Sequence, residues 1–364
     1  MVVVKLKALS ITSASTALIF WSTAQTVKAA NFNPAPIYQD VGTYSTTISG
    51  NNNKTDIYFP KPRDLNSGNY SFPIALLLQG ANVDKSSYSE YASIVARYGF
   101  VVVVPNHPRS LPQFGFNGLL PETSQINDVL AQVKSENANS TSPINGVVNT
   151  DKLALLGHSA GGAVGLSAIA NLCIQPILCE GSFNQPDELV AGAFFGANLR
   201  NQATEEFIPI NNSGIPTALI QGNRDGIALP FRAEATYDNI QNPPKALISI
   251  LGANHYGITN TNNPDGPIPD PNIPTIPQDV AVETVARWSG LFLRASVLDD
   301  KEAFNYVYST GDLLDKNVTV ISQIKPIPEA SSIWGLAALS FAFVAWKGTN
   351  KIKNLNVDNL NSRK

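Results

Sequence analysis

Charge is what this chain has least of. Only 15% of its 364 residues are charged, and the formal balance is a mild −3 at pH 7. So weak a field gives no grip on nucleic acid or on an anionic membrane surface. No stretch interleaves basic with aromatic residues either, so nucleic acid is not expected as a partner. There are two cysteines, Cys173 and Cys179, with no further metal ligands near them, which leaves no metal centre to propose there. Histidine is rarer than usual, with three in all, so any imidazole chemistry has a short list of candidates. Internal repeats and long linkers are missing as well. At 43% hydrophobic residues the chain is long enough for one large α/β domain or two small ones.

The two ends carry patterns that are not read as fold. Lys5 and Lys7 precede an apolar, Ala/Ser/Thr-rich run from Ala8 to Trp21. Small residues follow, with Ser22-Thr23-Ala24 and Val27-Lys28-Ala29 both acceptable as cleavage sites. This order predicts a secretory signal peptide over residues 1–30, the alternative being a buried N-terminal helix. An exported domain meets oxidising conditions, so Cys173 and Cys179, with Pro176 favouring a turn between them, are expected to form a disulfide; two buried thiols are the alternative.

At the other end, Pro326-Ile327-Pro328-Glu329-Ala330 leads into the apolar stretch Ile333 to Trp346, then Lys347, Lys351 and Lys353. That stretch is shorter than the roughly 20 residues of a stable transmembrane helix. The order over residues 326–364 resembles the bacterial PEP-CTERM sorting signal, with Ala330 where that family usually has a second Pro. The resemblance implies an exported protein held transiently in the inner membrane by its C-terminal segment, processed by an exosortase-type enzyme, and delivered to the cell surface or medium. A simple C-terminal anchor is the alternative.

Between the ends, strand patterns alternate with helical ones. Ile37 to Ser49 and Thr55 to Phe59 read as two extended segments, and Pro73 to Leu78 as a buried strand. Tyr88 to Arg97 has helical spacing, and Phe100-Val101-Val102-Val103-Val104 suits a strand buried on both faces. A helix from about Pro121 to Lys134, a strand at Leu153 to Leu156 and a helix from Ala160 to Asn171 follow. Val190 to Phe195, Thr217 to Gln221 and Ala246 to Ile250 complete the strands, and Asp279 to Ala295 is the last helix. The alternation predicts an α/β domain over residues 31–297, a mostly parallel sheet with helices on both faces. Asn260 to Pro277 is a Pro/Asn/Asp-rich loop whose carboxylates, Asp265 and Asp270, lack the spacing of a calcium loop. Residues 298–325 read as a C-terminal extension.

Gly157-His158-Ser159-Ala160-Gly161-Gly162 carries the chemistry. An apolar strand enters it and a small-residue helix leaves it, so Ser159 sits on a strained strand-to-helix turn that lifts its hydroxyl off the sheet edge. A serine hydroxyl needs a base to take its proton. His158 adjoins it and points away, and His107 lies after the valine strand. His255, in a loop after the last strand, is where a base belongs when the order is Ser, acid, His. Asp225, on the polar turn after Thr217 to Gln221, is the candidate acid; Glu234 and Asp238 fall within a predicted helix. The N–H groups of Ala160 and of Ala81, in the loop Gln79-Gly80-Ala81-Asn82, are the candidate oxyanion donors. Gln79, His107 and Tyr256 are expected to line the substrate site.

Together the elbow, the Gln79 to Asn82 loop with Tyr88 downstream, Tyr98-Gly99-Phe100-Val101-Val102, Asp225 and His255 resemble the α/β-hydrolase superfamily. The similarity is to the branch holding dienelactone hydrolases, chlorophyllases and polyester hydrolases. Gln79 departs from the His that many members have before the oxyanion Gly. The resemblance implies a Ser-His-Asp esterase that needs no cofactor or metal and acts on a small-molecule or polymeric ester. The short interval between Phe195 and Thr217 leaves no room for a large cap domain. Lactone, thioester or peptide hydrolysis, or a silent surface-binding role on the same fold, are the alternatives.

Overall fold

Four consecutive valines can be buried only where a strand is covered on both sides, and that is where they lie. In the structure, a computed structural model describing residues 34–62 and 70–325, Val101–Pro105 forms β4 inside a nine-stranded sheet. Val102 and Val104 pack into one apolar cluster and Val101 and Val103 into another. The same split runs through β3 (Phe72–Leu78), where Ala75 and Leu77 face one cluster and Ile74, Leu76 and Leu78 the other. Period-two alternation therefore divides one sheet between two cores.

The remaining sheet strands are β1 (Asp40–Thr47), β2 (Lys54–Lys61), β7 (Val148–His158), β8 (Leu189–Phe195), β9 (Thr217–Gly222), β10 (Lys245–Ile250) and β11 (Val318–Gln323). Their order is β1-β2-β4-β3-β7-β8-β9-β10-β11. The six from β4 to β10 are parallel, while β1, β2 and β11 pair antiparallel at the edges. Helices α1 (Ser89–Arg97), α2 (Ser124–Ala138), α3 (Ala160–Ile169) and α4 (Pro230–Asn239) lie in the crossovers between parallel strands, and α5 (Gln278–Val297) follows β10. The mostly parallel sheet is what the alternation predicts, and the whole is the α/β-hydrolase architecture that the resemblance implies. Since the six strands run the same way, the loops after β3, β7, β8, β9 and β10 all emerge at one carboxyl edge.

Three features differ from the sequence reading. After β4 the chain forms a two-stranded hairpin, β5 (Pro108–Leu111) and β6 (Phe116–Leu119), too short and irregular in pattern to stand out. Helix α2 starts at Ser124 rather than Pro121, with Glu122 N–H bonded to the Gln125 side chain just before it. The segment after residue 297 is no appendage. It forms α6 (Lys301–Asn305), a π-helical turn, α7 (Gly311–Leu314) and then β11, which extends the sheet beside β10. Asp315 fastens it, accepting hydrogen bonds from Arg287 Nη2 and Trp288 Nε1 of α5, each at 2.9 Å. The domain thus continues to Gln323. The expected signal peptide and sorting signal lie outside the described residues. Among the described residues, no helix is long and apolar enough to cross a membrane.

Candidate active site

The edge is built around a strained turn. Between β7 and α3, Ser159 has φ +54° and ψ −118°, a left-handed conformation that costs a non-glycine residue about 1–3 kcal/mol. It is held by its N–H, which donates to Phe195 O at 2.9 Å, and by its carbonyl, which accepts from Ala163 N at 3.1 Å. The turn also needs bare backbone. A Cβ on Gly161 would lie 2.1 Å from the Leu78 carbonyl oxygen, and one on Gly157 would lie 2.7 Å from Gly161 O.

Asp225 and His255 arrive from the loops after β9 and β10. Their carboxylate and ring meet at 2.8 Å between Oδ2 and Nδ1, with both side chains buried. The other Asp225 oxygen is fixed by the N–H groups of Ile227 (2.9 Å) and Ala228 (2.7 Å), and Gln221 Nε2 approaches Oδ2 at 3.2 Å. A carboxylate so placed holds Nδ1–H and leaves Nε2 as the free basic nitrogen. Among the described residues the Ser159 hydroxyl makes no hydrogen bond, so Ser159 and His255 share the edge without being joined. Such links often tighten only with substrate in place.

Asp270, buried in the Pro-rich loop, ties these two loops together. Its Oδ2 accepts from His255 N at 2.7 Å, its Oδ1 from Asn272 N at 2.7 Å, and both oxygens lie 3.2 Å from Gly226 N. One carboxylate thereby fixes the backbone of His255, of Gly226 beside Asp225, and of its own loop. Composition marks this loop as irregular and gives no sign of that role.

His158 faces inward, as expected of the residue before Ser159. Its Nε2 lies 2.9 Å from the His255 carbonyl, which can only accept, so Nε2 carries the proton and Nδ1 is the acceptor. Tyr88 Oη donates to that Nδ1 at 2.9 Å, and Gly80 N–H donates to Tyr88 Oη at 2.8 Å. Complete burial holds the His158 pKa well below its ordinary value. A positive charge on His255 would push it further, and the hydrogen bond to the His255 backbone opposes the shift. Burial likewise raises the Tyr88 phenol, which stays a donor. This neutral chain links the elbow, the loop after β3 and the loop carrying His255.

In the loop after β3, Ala81 and Asn82 form a turn, Asn82 in the left-handed region at φ +58°. Asn82 N–H bonds Leu119 O (2.7 Å) and its Oδ1 accepts from Leu119 N (3.0 Å), so the β5–β6 hairpin braces the turn. The Ala81 N–H has no hydrogen-bond partner among the described residues. The Ala160 N–H, first in α3, has no intrahelical acceptor. Both donors stay available.

The three residues expected to line the substrate site do not. Gln79 is fully buried and spends its amide on Pro105 O (3.2 Å) and His107 N (2.9 Å), joining the ends of β3 and β4. His107 is buried between Asn53 Nδ2 (2.7 Å) and Glu122 Oε1 (3.5 Å). Tyr256 is buried with its hydroxyl on Ile268 O, pinning the Pro-rich loop. Burial forces each polar group to find an internal partner, and none is left to face a ligand.

The cavity that Ser159 and Ala160 do line measures about 610 Å³. Its walls come from segments with no motif: Ile174 to Leu178, Asn198 to Ala203, Ile208, Ile227, Arg232 and the hairpin tip Phe114. Cys173 and Cys179 are joined, Cα to Cα 5.1 Å, closing the Ile174–Leu178 wall into a loop. Arg109 clamps that loop, donating to Pro176 O (2.8 Å) and Ile177 O (2.7 Å). The expected Cys173–Cys179 bond around Pro176 was the sequence signal for this wall.

Comparison with known proteins adds a family likeness over part of the chain. The chlorophyllase family model matches residues 39–175. Chlorophyllase-1, chloroplastic, of Citrus sinensis is 30% identical over 96 residues, 26% of this chain and 28% of the relative. Chlorophyllase-1, chloroplastic, of Citrus unshiu is 30% identical over 92 residues, 25% and 27% of the two lengths. The chain thus matches little more than a quarter of the length of these relatives. The family match takes in the loop after β3 and the elbow and ends before Asp225 and His255. It points to a hydrolase.

Proposed function

We propose that the chain is a serine carboxylic ester hydrolase, with Ser159 as nucleophile, His255 as base and Asp225 as orienting acid. The observation that carries the reading is the buried Asp225–His255 contact at 2.8 Å, on the edge where the strained Ser159 opens into a cavity of about 610 Å³. His255 Nε2 takes the hydroxyl proton as Oγ bonds to the ester carbonyl carbon. The carbonyl oxygen gains charge, and the N–H groups of Ala81 and Ala160 receive it. Collapse expels the alcohol, which leaves with the proton from His255. Water then enters by the same route, and the acid is released. The apolar walls suit esters with a sizeable apolar part, the class to which the relatives' name also points.

We also propose that the protein is exported and carries the sorting signal suggested by residues 326–364. The Cys173–Cys179 disulfide, which fits an oxidising compartment, supports export.

The test uses the purified protein, a fluorophosphonate probe and p-nitrophenyl esters of several chain lengths. Labelling and turnover are expected, with Ser159→Ala lowering turnover by about 10⁴–10⁶ and abolishing labelling. A parent protein that neither labels nor turns over would overturn the reading. Labelling without ester cleavage would move it to thioester, lactone or peptide bonds.

A further inference from the structure

We infer that the Ser159 cavity contains a carboxylate-binding subsite formed by Arg200 and Arg232, which selects esters carrying a free carboxylate at a distance from the scissile bond. This rests on the ester-hydrolase reading and names a substrate class for it.

Both arginines line the same cavity as Ser159. Arg200 comes from the loop after β8. Arg232 sits in the first turn of α4, a turn with no acidic residue. A cation there opposes the helix dipole, so its position does not serve the helix. The chain around it is net negative, at −3, which makes a paired cationic site the more specific.

One carboxylate faces the two cations. Glu205 Oε1 accepts from Arg200 Nη1, and Glu205 Oε2 stands 3.7 Å from Arg232 Nη2. Its side chain is 60% exposed, against 15% and 21% for the two arginines. Two guanidinium groups therefore share one solvent-facing acid, and one positive charge is left over. The Nε atoms of both arginines are buried and lack hydrogen-bond partners. The Arg232 guanidinium donates no hydrogen bond among the described residues. Glu205 already shows that a carboxylate fits between the pair, and its exposed chain can yield to another. Guanidinium groups match carboxylates in geometry as well as in charge. Ile174, Ile177, Ile208 and Ile227 supply apolar wall elsewhere in the cavity. A short methylene chain with an ester at one end and a carboxylate at the other suits both parts.

The test compares p-nitrophenyl hydrogen adipate with its neutral isostere, p-nitrophenyl 6-methylheptanoate. Wild type should favour the adipate at low salt, and the preference should shrink as salt rises. Arg200→Gln and Arg232→Gln should each cut the adipate-to-neutral ratio of kcat/KM roughly tenfold, acting through KM. Glu205→Gln, by removing the competing carboxylate, should raise the ratio, a direction that a folding defect would not produce. Ratios unchanged in all three variants would overturn the subsite. If wild type cleaves neither ester and is not labelled by fluorophosphonate, the hydrolase reading fails on its own account. Calorimetric titration of adipate into Ser159→Ala then decides the subsite separately. Binding that Arg232→Gln abolishes sustains it, and no binding overturns it.

Discussion

The two halves of the candidate catalytic edge are built by different means. The elbow and the loop after β3 are made of backbone, with a strand end, a helix start, a φ of +54° at Ser159 and a Gly161 pressed against the Leu78 carbonyl. The proposed acid and base, Asp225 and His255, lie on loops after β9 and β10, and side chains hold them there, Asp225 on His255 and Asp270 on the backbone of both loops. The family match follows the same division, covering residues 39–175 and stopping short of the second half. A site held by backbone leaves a compact signature in sequence. A site held by long-range side-chain contacts leaves a scattered one. It follows that, the Ser159 hydroxyl aside, substitutions in the first half should strike stability and those in the second should strike catalysis.

Asp225→Asn offers the sharpest break. Its Oδ1 contacts to Ile227 and Ala228 survive, while an amide N–H now faces His255 Nδ1. We expect kcat to fall by about 10⁴, near 5.5 kcal/mol, with the melting temperature almost unchanged. A collapse of the fold instead would erase the distinction. The reciprocal case is Gly161→Ala, where the new methyl meets main chain that cannot move aside. A stability loss of about 3 kcal/mol is expected in denaturant titration. Retained stability with lost activity would contradict the backbone account.

Asp270→Asn refines the second half. Replacing an oxygen by NH₂ sets donor against donor at His255 N or Asn272 N and lets the base shift. We expect kcat to drop by roughly 10² with KM little changed, since small displacements of a catalytic group cost that much. A change confined to KM would assign Asp270 to the substrate instead. The smallest effect joins the halves, through His158. Its folded pKa is depressed, so below the ordinary value of 6.5 the unfolded chain gains a proton that the buried ring refuses. Stability should therefore hold above pH 6.5 and decline by up to about 1.4 kcal/mol per pH unit as the medium is acidified below it. Denaturant titrations at several pH values, on wild type and His158→Leu, read the slope; equal slopes would show that the ring is not held neutral.

The residues that position the chemistry without performing it were hidden for a common reason. Gln79 and Tyr256 were expected to line the substrate site because they adjoin the oxyanion loop and His255, and His107 because it follows the valine strand, yet each is buried and satisfied within the protein. Asp270 looked like a loop carboxylate because nothing local marks its bonds to the backbone N–H groups of Gly226 and His255, on two other loops. Segment 298–325 looked peripheral because an edge strand half exposed to solvent has a weak pattern, and β11 was recognisable only once β10 lay beside it.

The sequence by itself determined the sheet, its two covered faces and the turn bearing Ser159. Those rest on local rules, the period of apolar residues and the bare backbone that a tight turn requires. The order Ser, acid, His also singled out Asp225 and His255. Only the tertiary structure decided which polar side chains are spent inside, which segments wall the cavity, and that Arg200 and Arg232 meet over one carboxylate. Such matters depend on which distant surfaces come within a few ångströms, a distance that position along the chain does not encode.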